Sequence, residues 1–227
     1  MITVVIPTSP LIIHPDTTNI ERCIASIKSY LPDCRIIVTF DGIRPETEHH
    51  RASYELYRQR LGEVYKDFKR PEMTFIEFYA HRHQSGMMST TLEHVETDLL
   101  LYVEHDWELV GEIPFKEMGE IIACGEANLI RVLYPTELPS YYMDMMIDKT
   151  PRIINGIPLT QTIQWSQNPH LASTEFYREI SKLWKPKTFI EESMVAHINE
   201  SMKTFIYTPE GNTQRCVHYD GRKGEIA

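Results

Sequence analysis

The sequence predicts an α/β fold: a doubly wound, mostly parallel sheet with helices on both faces, built as a single domain over residues 1–227. Three observations carry this. Apolar, largely β-branched runs of strand length recur at Ile2–Ile6, Arg35–Phe40 and Leu99–Val103, suited to strands buried on both faces. Amphipathic stretches of helical period lie between them. Two of the runs stop at acids, Asp41 and the group Glu104-His105-Asp106, as expected where strands carry polar groups to the carboxyl edge of an open sheet.

In order, Ile2–Ile6 is the first strand, broken at Pro7-Thr8-Ser9-Pro10. Thr18-Asn-Ile-Glu21 reads as a capping box, and Ile20, Ile24, Ile27 and Leu31 follow at helical spacing until Pro32 ends the helix. Arg35–Phe40 is the second strand, ending at Asp41-Gly42, so the first forty residues form a parallel βαβ unit. From Pro45 to Phe68, Tyr54, Tyr57, Leu61, Val64 and Phe68 recur every three or four residues and predict one long helix. Met73–Tyr79 is a third strand, followed by the polar loop His81–Gly86 and a short helix over Met87–Val95. After the central strand come a helix over Ile113–Cys124, with Phe115, Met118 and Ile121 on one side, and a strand over Asn128–Tyr134 closed by Pro135.

Beyond Pro135 the pattern is irregular. Thr160–Trp165 alternates like an exposed strand, Ser173-Thr174 caps a helix running to Leu183, Phe189 opens another helix, and Thr204–Tyr207 is a short strand. The stretch Gln214–Gly224 has no period.

A chain of 227 residues buries a good core as one domain. Hydrophobic residues at 42% and charged residues at 24% are ordinary for a soluble protein, and no apolar run is long enough to span a membrane. The beginning, Met-Ile-Thr-Val-Val-Ile-Pro, has no signal-peptide pattern and is expected to be mature strand. Cys23, Cys34, Cys124 and Cys216 are scattered without a Cys-x-x-Cys pair, which argues against a zinc ribbon or disulfide framework and for a reducing cytoplasm. A net charge of −9 argues against broad electrostatic binding to nucleic acid.

The residues that promise chemistry sit at strand ends. Glu104 and Asp106, two apart, point the same way from an extended strand end, where a hard cation bound to them would also hold phosphate oxygens. The bland reading is a solvated acidic loop. Asp41-Gly42 is read either as a ligand site or as a plain turn. Glu191-Glu192 is read either as a functional pair or as first-turn acids favoured by the helix dipole. Trp165, Asn168 and His170 suit an acceptor, since an aromatic face stacks on a ring and amides read hydroxyls; burial in the core is the competing reading for Trp165.

Five stretches in one order, Val4-Val-Ile-Pro-Thr8, Thr39-Phe-Asp-Gly42, Leu101-Tyr-Val-Glu-His-Asp106, Phe189-Ile-Glu-Glu192 and His218, resemble a nucleotide-sugar-dependent glycosyltransferase of the GT-A fold, in the style of the short family-two-like enzymes. The resemblance implies a GT-A-like (Rossmann-like) sheet with a nucleotide-sugar-binding half over 1–135 and an irregular acceptor-binding half with a tail over 136–227. It implies that Pro7, Thr8 and Asp41 hold the nucleoside, and that Arg82, Gln84 and Ser85, at a helix N-terminus, meet the diphosphate. Asp106 is implied as a ligand of manganese or magnesium, with Glu104 acting through water or on the ribose in place of the usual first Asp. His105, out of phase, is set with the donor-binding residues, His218 completes the coordination, and Lys223 or Arg222 closes on the phosphates. Glu192 is the implied general base and Glu191 a holder of the acceptor hydroxyl, with in-line attack inverting the anomeric centre. The acceptor is a glycan or another hydroxyl-bearing molecule; a hydroxymethylated DNA base is left open but disfavoured by the charge. Two rival classes stand beside this one: a sugar nucleotidyltransferase, which should carry a glycine-rich basic loop after its first strand, and a non-catalytic nucleotide- or glycan-binding module.

Overall fold

The computed structural model describes residues 1–68, 72–132, 140–148, 150–209 and 214–220. The first part of the chain alternates β1 (Ile2–Thr8), α1 (Thr18–Tyr30), β2 (Arg35–Phe40), α2 (Arg51–Val64), β3 (Met73–Glu77), α3 (His83–Thr91) and β4 (Leu99–Tyr102). The short strand β5 (Trp107–Leu109), α4 (Phe115–Ala123), β6 (Leu129–Arg131) and the single turn α5 (Ser140–Met143) follow. The rest comprises β7 (Arg152–Ile154), β8 (Ile157–Gln161), β9 (His170–Ser173), α6 (Thr174–Ser181), α7 (Ile190–Met194), β10 (Thr204–Tyr207) and β11 (Cys216–His218).

Nine strands form one sheet in the order β3-β2-β1-β4-β9-β6-β10-β8-β7, and β5 pairs with β11 in a separate ribbon. β1 lies parallel to both β2 and β4, and β2 to β3. β9 runs antiparallel between β4 and β6, while β6 and β10 are again parallel and β8 antiparallel. Seven of the nine strands therefore point the same way, β8 and β9 being the exceptions. The predicted α/β class with a mostly parallel sheet is the observed one.

Alternate residues of the central strands feed two cores. Val4, Ile6, Leu101 and Val103 pack against α1, α2 and α4, whereas Val5, Leu100 and Tyr102 pack against α3, α6 and α7. This is the period of two expected of strands covered on both faces.

Several predicted boundaries move. α1 is capped by Asp16, whose Oδ1 accepts from Thr18 N at 2.7 Å, and Thr17 in place of Thr18 bonds the Glu21 carboxylate. The single helix predicted from Pro45 to Phe68 is a 3-10 segment over Pro45–His50 followed by α2. It ends at Val64, which is 48% exposed, one turn after the fully buried Leu61. β3 stops at Glu77, and α3 begins at His83, four residues earlier than Met87. The strand predicted over Thr160–Trp165 lies earlier, at Ile157–Gln161. β5, β9 and β11 have no predicted counterpart, and residues 133–135 at the end of a predicted strand lie outside the described residues. Gly42 has a steric reason: a Cβ there would come within 2.3 Å of the Ala80 carbonyl carbon, so only glycine lets the two backbones meet.

Candidate active site

A cavity of about 340 Å³ opens at the carboxyl ends of β1, β2 and β4. It lies where the strand order reverses: β2 and β4 flank β1, the place where open α/β sheets bind ligands. Pro7, Thr8, Asp41, Gln84, Glu104, His105, Asp106 and His218, all singled out in the sequence, line it together with Arg44, His81, His83, Met87 and Phe189.

Strand β4 runs into the floor of this cavity. Glu104 follows one residue after Val103, and its Oε1 accepts from Gln84 Nε2 at 2.8 Å and from Tyr102 Oη at 3.1 Å. Burial, and then the charge of Asp106, push its carboxyl up to about 7. The Asp106 side chain is buried. Burial alone would raise its carboxyl, but the hydrogen bond from His218, helped by the charges of His105 and His218, holds it below the usual carboxylate range. Its Oδ2 accepts from His218 Nε2 at 3.2 Å, while Oδ1 is buried without a hydrogen-bond partner among the described residues. Burial lowers the His218 imidazole, but the Asp106 hydrogen bond together with the charges of Asp106, Glu104 and Asp220 outweighs it, so its pKa is raised.

The tail brings His218 here. β11 pairs antiparallel with β5, setting His218 opposite Trp107, and the two rings stack at 4.5 Å. Tyr219 N donates to Asp106 O at 2.9 Å, fastening the tail beyond the strand. His105 donates from Nδ1 to Pro7 O at 3.2 Å, and its buried Nε2 has no partner.

Asp41 is engaged on both oxygens. Oδ1 accepts from Gly42 N at 2.8 Å and Arg82 N at 2.7 Å, and Oδ2 accepts from His83 N at 3.0 Å and faces His81 Nδ1 at 2.7 Å. Asp41 thus caps α3 from across the sheet, and His83 adopts a left-handed φ of 59° at the start of that helix. Gln84 N is taken by His83 Nδ1 and Ser85 N by Thr188 O. The amides of residues 82–85, at the helix N-terminus expected to meet a diphosphate, have protein acceptors. Arg82 is exposed and Ser85 buried, and neither lines the cavity. Thr8, by contrast, does, with its hydroxyl bonded to Thr39 O and Tyr54 Oη at 3.0 Å each.

Glu191 and Glu192 are exposed in the first turn of α7, beside Phe189 on the cavity wall. Burial raises the Glu191 carboxyl, with the Arg131 charge acting against it. Trp165 and His170 lie in the core, away from the cavity wall. Trp165 is 3% exposed and His170 fully buried in β9, stacked on Tyr102 at 5.2 Å, with Nδ1 donating to Asn168 O at 2.7 Å. Asn168 is half-buried near the start of β9. Lys223 and Arg222 lie outside the described residues. Sequence reasoning passed over Arg44, His81, His83, Met87 and Phe189; only the strand-end position of Asp41 hinted that its neighbours would gather there.

No protein-family model matches this sequence, and no curated protein matches it. Solved structures do match by fold. TarS 1-349 of S. aureus superposes with a TM-score of 0.58 at 11% identity, over 95% of this chain and 59% of that one; a second structure of it holds UDP-GlcNAc. The mannosyltransferase PcManGT of Pyrobaculum calidifontis, in complex with GDP-Man and Mn2+, gives 0.55 at 12% identity, over 92% of this chain and 57% of that one. The bifunctional IspDF of Campylobacter jejuni gives 0.51 at 12% identity, over 94% and 51%. This chain therefore spans little more than half the length of these relatives. At such identities the likeness is one of fold, and the fold is that of the GT-A-type glycosyltransferases.

Proposed function

We propose that this chain is a glycosyltransferase that moves a sugar from a nucleoside-diphosphate sugar to an acceptor hydroxyl. The observation that carries the reading is the cavity at the β2-β1-β4 reversal, where Asp106 turns a buried, unpartnered oxygen beside His218. In this reading Pro7, Thr8 and Asp41 border the nucleoside. Glu104 and His105 face the sugar-phosphate end, and Lys223 closes on it.

Asp106 and His218, with Glu104 beside them, are the residues that would hold manganese or magnesium. They fit such an ion: carboxylate and imidazole are both suitable ligands, and a buried carboxylate oxygen without a partner is a donor in waiting. Among the described residues no three His, Cys, Asp or Glu side chains gather as a complete metal site. Phosphate oxygens and water would fill the remaining positions of an ion held by Asp106 and His218. When bound, it supplies charge neutralisation for the departing diphosphate.

Glu192 takes the proton of the acceptor hydroxyl at the cavity rim, and Glu191 holds a neighbouring hydroxyl. A carboxylate within reach is needed because a neutral hydroxyl is a weak nucleophile. Attack opposite the departing nucleoside diphosphate inverts the anomeric centre. The acceptor is a glycan or another hydroxyl-bearing molecule, and the scattered cysteines, with no Cys-x-x-Cys pair, suit a reducing cytoplasm. Among the described residues no helix is long and apolar enough to cross a membrane. The end of β1 and the loop after it, Pro7-Thr-Ser-Pro-Leu11, have neither glycine nor lysine, which favours this reading over a nucleotidyltransferase.

The test is a thermal-shift series with UDP, GDP and their sugars, with and without manganese, followed by release of nucleoside diphosphate in the presence of candidate acceptors. A ligand at a hundred times its dissociation constant adds about 2.7 kcal/mol of stability. Stabilisation by one nucleotide that depends on metal, with diphosphate release, supports the proposal. Synthesis of a nucleotide sugar from a triphosphate and a sugar phosphate would replace it.

A further inference from the structure

We infer that Gln84 is a positioning residue that ties the floor of the donor pocket to helix α7, which carries Glu191 and Glu192; the inference rests on the glycosyltransferase reading. Gln84 is 7% exposed and uses both ends of its amide. Nε2 donates to Glu104 Oε1 at 2.8 Å and to Tyr102 Oη at 2.9 Å, and Oε1 accepts from Ile190 N, the first residue of α7, at 2.9 Å. Tyr102 Oη donates in turn to Glu104 Oε1 at 3.1 Å, so the pocket end of the bridge is a closed triangle.

The chemistry demands a glutamine. The bridge needs two donors facing Glu104 and Tyr102 and one acceptor facing a backbone amide, on a single planar group of this length. A glutamate would set a second carboxylate against Glu104 without donating, and an asparagine is a methylene too short.

The other end of the bridge is a helix that cannot place itself. α7 has five residues, and a helix of that length has little stability apart from its tertiary anchors. Its approach is held by two ties to α3: Ser85 N to Thr188 O and Thr188 N to Ser85 Oγ, both 3.2 Å, with the Gln84–Ile190 bond two residues further on. Phe189, between these anchors, lines the cavity and meets His83 edge-on at 4.5 Å. A ligand that touches Glu104 or Phe189 therefore acts on both ends of one rigid amide, and the position of the acids relative to the pocket is set through Gln84.

The experiment compares the whole chain with Gln84→Ala and Gln84→Glu by hydrogen exchange over residues 188–194, with and without UDP or GDP plus manganese, and by steady-state transfer. In Gln84→Ala, basal protection at Ile190 is lost and kcat falls about 10- to 100-fold, the effect of a misplaced catalytic group, while donor KM stays within about twofold. Gln84→Glu keeps the acceptor for Ile190 and so keeps basal protection, but loses the nucleotide-induced rise expected of the unmodified chain. Unchanged exchange at Ile190 in Gln84→Ala overturns the inference whether or not nucleotides bind. A raised donor KM with kcat intact overturns it in favour of direct donor contact, and a lowered melting temperature with kcat and KM intact reduces Gln84 to a structural role. If no nucleotide binds or turns over in the unmodified chain, it is the transferase reading that fails, and the exchange at Ile190 still decides whether Gln84 holds α7.

Discussion

Asp106 and Glu192 divide the proposed chemistry between them, and single atoms separate their roles. Asp106→Asn keeps the shape of the side chain and removes the charge that pairs with His218. The expected outcome is loss of the manganese-dependent part of nucleotide stabilisation, with the metal-independent part retained, read by thermal shift in the presence and absence of manganese. Glu192 is exposed in α7 and does not line the donor pocket. Glu192→Gln should leave nucleotide stabilisation unchanged and lower transfer by about 10²- to 10⁴-fold, the worth of a positioned general base. Transfer at the unmodified rate in Glu192→Gln would remove it from the mechanism.

At the scale of elements, short pieces are held by caps and partners more than by propensity. α6 has eight residues, and Ser173 at its N-cap accepts from Phe176 N at 3.3 Å through Oγ. Ser173→Ala should cost about 1 kcal/mol, seen in urea unfolding as a lower midpoint with an unchanged slope. An unchanged midpoint would mean that packing of Tyr177 and Ile180 holds the helix alone. α3 makes the same point from the other side, since Asp41 caps it from 41 positions away in the chain. The β5–β11 ribbon is smaller still, three residues to a strand, and its consequence is to bring His218 to Asp106 from 112 positions away.

At the scale of the whole molecule, burial of histidine makes stability depend on pH. Burial, with the Arg131 charge assisting and the Asn168 backbone hydrogen bond opposing, pushes His170 from 6.5 down to about 3. Its neutral ring donates from Nδ1 to Asn168 O and accepts the Tyr177 hydroxyl at Nε2. Because the folded pKa is depressed, the unfolded chain binds the extra proton between pH 6.5 and 3, and stability falls as pH drops through that range. Between pH 7 and pH 5 the loss from this group is about 2 kcal/mol. His14, also pushed down to about 3 by burial and by His105 and His50, loses stability in the same direction. Glu104, raised to about 7, works in the opposite direction over the same range. His170 is therefore isolated by difference: His170→Gln should be less stable than the unmodified chain at pH 7, and its deficit should shrink by about 2 kcal/mol at pH 5. An equal deficit at both pH values would contradict a neutral, buried His170.

The sequence by itself determined β1, β2 and β4 as unbroken apolar runs, α1, α4 and α6 from their periodicity and the Ser173 cap, the α/β class, and the presence of acids at the strand ends. Each of these is a local pattern that the chain carries whatever its distant parts do. Only the tertiary structure decided the rest. β9 is four residues whose strand exists because β4 and β6 supply partners on both sides, and that position buries His170 and, beside it, Trp165, which the sequence alone had offered to an acceptor. The amides at the start of α3 looked ready for an anion, but Asp41 takes two of them, and Thr188, 103 positions beyond Ser85, ties the next turn. Gln84, expected at a phosphate, also meets Tyr102 and Glu104 at the end of β4 and Ile190 at the start of α7. Hydrogen-bond partners so far apart in sequence leave no periodic signal, since what satisfies a polar group is nearness in space, and that is settled only when the sheet has closed.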